Sequence, residues 1–458
     1  MTLLDGSALE QARAVRDGKV SSAELVRAYL ARIEARDPVL HAFVEIAPKR
    51  ALQEAARKDL EVRSNRASLP PFHGVPIGVK DLNLVRGFGM RSGSRALRWL
   101  KWSPVDDKTA AALRRGGFVF VGKLATSEVG AMPVTEPDIH PPVRNPWNLE
   151  HSAGGSSGGS AAAVSAGLLP IAHGSDGAGS VRIPAAFCHL FGLKPSRGRL
   201  ANQFGLRDSR ILYTCGPITR TVTDAAAMLD IMLDRDPRSP APRTVTPFAE
   251  LAERPPARLR IRVGTRAPWG TTDPEIEAAT LRVARVLEDA GHHLEPAPQF
   301  QGALADGLPL WQWLVGSAPL PLRYVEPVTR WLAEAGRRMK RTDRDALHDA
   351  ITKQVLEVFG DVDLWLTPTV IVPPPRVGAW KNLGPEAAFT EAAVLGAFTA
   401  FFNVSGQPAV SLPAGLTSNG LPIGVQLAGR CFEEAKVLAV ARELEQRLPW
   451  RERRPPLG

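Results

Sequence analysis

Two glycine-rich turns that each present a serine are the stretches of this chain best suited to covalent chemistry. The first runs Gly154-Gly155-Ser156-Ser157-Gly158-Gly159-Ser160, and the second, from Gly174 through Asp176-Gly177-Ala178-Gly179-Ser180 to Arg182 and Pro184, follows a short apolar run from Ala161 to Ile171. Upstream, Gly74-Val-Pro-Ile-Gly-Val-Lys80-Asp81 sets a lysine in apolar surroundings. A serine hydroxyl attacks a carbonyl poorly unless its proton has somewhere to go. A lysine accepts that proton only when neutral, and burial favours the neutral amine by penalising the ammonium form. A second hydroxyl, donor and acceptor at once, can carry the proton between the two. No histidine occupies a position in these segments that would replace the lysine. The combination points to hydrolysis through a serine acyl-enzyme, without metal or cofactor.

Other chemistries fit less well. Gly154-Gly155-Ser156-Ser157-Gly158 matches the Gly-x-Ser-x-Gly elbow of an α/β-hydrolase esterase. However, Asn145 to Ser152 does not read as the strand an elbow requires, and no histidine follows His348. A phosphate-binding loop lacks the closing Lys-Ser or Lys-Thr. Three widely spaced cysteines, Cys188, Cys215 and Cys431, indicate neither a disulfide framework nor a zinc site and suit a reducing cytoplasm. The net charge of +10 comes from dispersed arginines. The denser pieces, Arg337 to Arg341 and Arg451 to Arg454, are short and carry no nucleic-acid motif, so they read as solvated helix faces.

The segment Gly154 to Pro184 resembles the signature of the amidase signature family of serine hydrolases. Further similar pieces are Phe72 to Asp81, Gly122 to Glu128, Asn145 to Asn148, Leu366 to Thr369, and Phe402 to Pro408 with Gly420 to Leu427. The resemblance implies that Ser180 is the nucleophile, Ser156 the serine of a cis peptide after Gly155, and Lys80 the base. The two serines stand 24 positions apart, as in the family pattern. It further implies an oxyanion hole from the backbone of Gly177, Ala178, Gly179 and Ser180, braced by Asp176 and Arg182, with Ser157 in support. Alanine at position 178, where the family more often has glycine, restricts φ in that loop.

Those turns need a rigid frame to position them. From Ser7 to about Arg63 apolar residues recur at helical spacing, and Ser21-Ser22-Ala-Glu24 resembles a capping arrangement, which predicts an amino-terminal helical layer over residues 1–65. Beyond Pro70-Pro71, β-like runs at Val75 to Val79 and Phe118 to Val121 alternate with helical stretches such as Thr109 to Arg115. The expected fold is therefore α/β, a large mixed β-sheet covered by helices on both faces in three layers. We divide the chain into that helical layer, a catalytic core over 66–235, a more variable substrate-side region over 236–375 and a carboxyl-terminal return to the sheet over 376–458, all within one domain. Residues 236–258 read as a surface connection. The amino terminus lacks a basic-then-apolar leader and no run reaches transmembrane length, so no membrane partner is expected.

Trp311, Trp313, Leu314 and Trp331, with Leu308 and Leu310, concentrate apolar surface that can line a substrate pocket, and the resemblance sets Met132 near its entrance. Aryl or alkyl amides are then the expected substrates, with esters and carbamates (urethanes) also within the range of the family. A monomer or homodimer is expected. The competing reading is the amidase subunit of a tRNA-dependent amidotransferase. That branch usually carries glutamine where this chain has Ile183, and it has a tyrosine-rich segment, whereas this chain has three tyrosines.

Overall fold

The computed structural model describes residues 3–201, 208, 210–233, 239–298 and 302–457. Its strands are β1 (Phe43–Ile46), β2 (Pro76–Lys80), β3 (Val119–Leu124), β4 (Arg144–Asn145), β5 (Asn148–Ser152), β6 (Ile171–Asp176) and β7 (Phe191–Lys194). They continue with β8 (Thr214–Thr219), β9 (Arg260–Val263), β10 (His293–Pro296), β11 (Leu364–Pro368), β12 (Ala409–Leu416) and β13 (Pro422–Gly429). Eleven of them form one sheet in the order β1-β3-β2-β6-β8-β7-β12-β13-β11-β9-β10. Strand β2 runs parallel to β3 and β6, and β9 runs parallel to β10 and β11. The remaining pairs are antiparallel, which makes the sheet mixed.

The period-two alternation of a strand sends neighbouring side chains to opposite faces, so a sheet apolar on both faces needs two covering layers. On one face Ile77, Val79, Phe120, Leu193, Val410 and Leu427 pack against helical Leu113, Met228, Leu438 and Leu444. On the other, Val119, Val121, Leu124 and Ala172 meet helical Val26, Ile33 and Ala163. This is the three-layer α/β arrangement expected from the sequence. Among the described residues no helix is long and apolar enough to cross a membrane.

Three local expectations need correction. The stretch from Ser7 to Arg63 contains helices Ala8–Arg16, Ser22–Leu40 and Pro48–Ser64, but Phe43–Ile46 between the last two is strand β1. His41, in the left-handed region at φ 58°, ends the preceding helix, and pairing with β3 then satisfies the backbone of a segment too short to disturb helical periodicity. The capping arrangement is present: Ser21 Oγ accepts from Glu24 N–H, and Glu24 Oε2 accepts from Ser21 N–H. Asn145 to Ser152, read as non-strand, belongs to the small β4–β5 ribbon, which stands apart from the main sheet. Of the supposed surface connection, residues 236–238 lie outside the described residues, and the part beyond includes a helix, Phe248–Ala252, with Phe248 and Ala252 buried.

Candidate active site

Lys80 is the last residue of β2, where alternation decides the neighbours. Its side chain is fully buried, and Nζ donates to Ser156 Oγ at 2.7 Å and to the carbonyl of Ser175 at 3.3 Å. Asp81, next along the chain, points elsewhere and pairs with Lys123 at 2.9 Å. Lys80 is thus left without a paired carboxylate. Burial pushes its amine down to about 7, with Asp176 and Cys215 opposing the shift. An amine in that range is available as a base at neutral pH.

The glycine turns bring the serines to the same place. The Gly155–Ser156 peptide is cis, as the family resemblance implies. Gly155 lies flat against Val134, whose backbone carbon would stand 2.6 Å from an added Cβ. Thr135 Oγ1 donates to the carbonyl of Gly154 and accepts from Gly158 N–H, holding the turn from outside. The two turns join where Ser157 N–H donates to the carbonyl of Ser180 at 3.2 Å, while Ser157 Oγ donates to the carbonyl of Ser175. Ser180, 7% exposed, lines a cavity and has no side-chain hydrogen bond among the described residues. Lys80 and Ser156 are therefore in contact, whereas Ser180 Oγ is bonded to neither.

Asp176 organises the second turn. Its carboxylate accepts from Gly179 N–H at 2.7 Å and Val181 N–H at 3.2 Å, and forms a fully buried bidentate pair with Arg182. Burial alone raises a carboxyl pKa, but Arg182, Lys194 and Asn403 outweigh it and hold Asp176 well below the usual carboxylate range. Arg182 also donates to the carbonyl of Thr399, Gln426 Oε1 and Asn403 Oδ1. Asn403 Nδ2 returns to the Asp176 carbonyl and carboxylate. Gly179, at φ 127°, occupies a conformation that suits glycine, and an added Cβ would collide with Thr399 Oγ1.

In the turn where an oxyanion hole is expected, Gly179 N–H already donates to Asp176, while Gly177, Ala178 and Ser180 line the cavity. Ala178 is not among the described residues with positive φ, so alanine carries no penalty there. Its carbonyl accepts from Thr399 Oγ1 at 2.6 Å.

The cavity holds about 110 Å³. Met132, Leu308, Leu310, Trp311, Ile183 and Phe389 are among its walls. Trp311 covers the oxyanion turn, its ring lying 3.0 Å from an added Cβ at Gly177, and its Nε1 donates to the carbonyl of Ala131. Trp313, Leu314 and Trp331 are not lining residues. On the helix Leu304–Gly316 the lining residues end at Trp311, and Trp313 and Leu314 lie further along the axis, beyond the last of them. The Trp313 ring carries the Arg344 guanidinium at 4.1 Å, and Trp331 stands behind Phe389 with centroids 6.0 Å apart.

Sequence reasoning missed Thr135, Thr399, Asn403 and Gln426 as supports of the two turns. The last two lay within quoted motifs, and two amides in otherwise apolar strand and helix surroundings were the available signal. Histidine is not placed as a base: the His173 ring in β6 makes no hydrogen bond, and burial together with Lys80 and Lys123 pushes it down to about 3. No group of three or more His, Cys, Asp or Glu suited to a metal occurs among the described residues.

Known proteins share this arrangement at large scale. A family model described as Amidase matches residues 24–438. A 6-aminohexanoate-cyclic-dimer hydrolase of Pseudomonas sp. is 37% identical over 489 residues, covering 98% of this chain and 96% of the relative. The solved structure of a 6-aminohexanoate cyclic dimer hydrolase superposes with a TM-score of 0.90 at 34% identity, covering 99% of both chains. That of a bacterial aryl acylamidase of the amidase signature family superposes at 0.85 and 26% identity, covering 97% of this chain and 96% of its own.

Proposed function

Because this chain belongs to the amidase signature family, we propose that Ser180 is the nucleophile of its amide hydrolysis, Lys80 the base and Ser156 the hydroxyl between them. The protein is a hydrolase of carbon–nitrogen bonds other than peptide bonds. The observation carrying the assignment of roles is a buried lysine, held near neutrality, 2.7 Å from Ser156 Oγ.

The steps follow from those groups. Ser180 Oγ, unbonded among the described residues, turns toward Ser156 and attacks the carbonyl, its proton passing through Ser156 to Lys80. A bond forms between Ser180 Oγ and carbon, and the oxyanion is held by the N–H groups of Gly177, Ala178 and Ser180. The carbon–nitrogen bond breaks as the proton returns through Ser156 to the leaving amine. Water then repeats the sequence on the acyl-enzyme and releases the carboxylic acid.

The substrates we favour are uncharged, apolar or aryl amides. The cavity walls offer Asp306 at an exposed position and no cation among the described residues. A cavity of about 150 Å³ lined by apolar side chains accommodates benzene, so 110 Å³ suits a group of that size or a short alkyl chain. A cyclic amide, charged at neither end, fits the same constraint and is the class named for the 37% identical relative. Aryl esters and carbamates present the same carbonyl and are included. None of the three cysteines is in a disulfide, in keeping with a reducing cytoplasm. A monomer or homodimer remains our reading of assembly, and the amidotransferase and α/β-hydrolase alternatives are not favoured.

A fluorophosphonate probe tests the nucleophile. Labelling should be complete in the parent and absent in Ser180→Ala; equal labelling rates in the two would remove Ser180 from the scheme.

A further inference from the structure

A second cavity, of about 300 Å³, shares a single wall residue, Phe401, with the cavity at Ser180. It lies at the carboxyl ends of the parallel strands β9, β10 and β11, represented in its wall by Val263, Pro296 and Thr367. Ligands of open α/β sheets collect outside the carboxyl ends of strands.

Two features of this wall are not accounted for by the protein's own contacts. Trp365 lines the cavity, while its Nε1–H, without an acceptor, is itself sealed from the open space. Buried indole N–H groups ordinarily have one. Arg266 is the one charged side chain among the lining residues; it is exposed and makes no ion pair or hydrogen bond among the described residues. The other polar groups are already engaged: Thr265 Oγ1 donates to Glu277, and Thr367 Oγ1 donates to the Pro368 carbonyl. Phe398, Phe401 and Phe402 make the rest of the wall strongly apolar.

We propose that this cavity binds a small apolar carboxylate, with its ring or chain against the three phenylalanines and its charge toward Arg266. At about 30 Å³ per water-sized volume the space suits roughly ten heavy atoms. A carboxylate is also the class of acid that amide hydrolysis releases. Its occupant touches the segment that braces the oxyanion turn, since Thr399 and Asn403, within and just beyond the three phenylalanines, hold Ala178 and Asp176.

Titration calorimetry of the full-length protein with phenylacetate tests this, with phenylethylammonium as the probe of opposite charge. Saturable one-site binding of phenylacetate alone is expected. It should weaken by about tenfold or more in Arg266→Gln, disappear in Ala297→Leu, which fills the cavity, and persist in Gly307→Leu, which fills the cavity at Ser180. The absence of saturable heat overturns the proposal, as does loss in Gly307→Leu alone, or equal binding by the parent and the two second-cavity variants. Arg266 is exposed, so its variant decides the question if circular dichroism shows that the buried substitutions have unfolded the chain.

Discussion

Lys80, the base we propose, concentrates the chemistry of hydrolysis in one titration. With its amine at about 7, roughly a tenth of the molecules carry a neutral base one pH unit below that value and nine-tenths one unit above. The rate constant kcat/KM should therefore rise with pH through about 7 and level off. A pH–rate profile that is flat across this range in the parent would rule Lys80 out as the titrating base. Lys80→Arg keeps a permanent cation and should abolish hydrolysis at every pH. Asp176 shows the opposite electrostatics, a carboxylate kept charged by Arg182. Asp176→Asn leaves the Arg182 cation buried and unpaired, a loss of about 3–5 kcal/mol that urea melts would register. The stability Asp176 supplies is complete above the ordinary carboxylate range and lost as pH falls toward its depressed value, so the variant should also show a shallower acid limb. The sequence revealed these side chains because their types and spacing are chemical. It did not show that Gly179 N–H is taken by Asp176, since that depends on where a loop three residues later turns back.

At the scale of elements, the helix Leu304–Gly316 sets the shape of the substrate cavity. Gly307 sits inside it, and an added Cβ there meets nothing within 4 Å. A glycine inside a helix is destabilising by about 1 kcal/mol relative to alanine, and here neither packing nor φ requires it, so its effect is to leave cavity space. Gly307→Ala should raise the melting temperature. Gly307→Leu should lower kcat/KM for aryl or long-chain amides at least about tenfold while sparing acetamides, the size of a buried hydrophobic contact; an unchanged ratio between the two substrates would remove Gly307 from the cavity wall. Composition disclosed the apolar residues of this element as a less regular stretch, and it did not separate Trp311, against the turn at Gly177, from Trp313, under Arg344. That depends on which face of the helix meets its neighbours.

On the scale of the molecule, the site draws its parts from positions 80, 156, 180, 403 and 426, which become neighbours only through the eleven-stranded sheet. Enclosing an amine there has a cost in stability. Lys80 binds its proton at about 7 in the folded chain and near 10.4 when unfolded, so the penalty is full below about 7 and fades as pH rises through that window. Lys80→Met should accordingly raise Tm by a few degrees near pH 7 and by much less near pH 10, as scanning calorimetry at the two pH values would measure. Composition, strand and helix periodicity, and glycine spacing determined by themselves the layered α/β class and the chemical type of the proposed catalytic groups, because these are local properties of the chain. Only the tertiary structure decided that Lys80 loses Asp81 to Lys123 and faces Ser156, that Asn403 and Gln426 brace Arg182, and which tryptophan borders the cavity. Burial and contact between residues hundreds of positions apart arise from how the layers pack, and no local pattern encodes them.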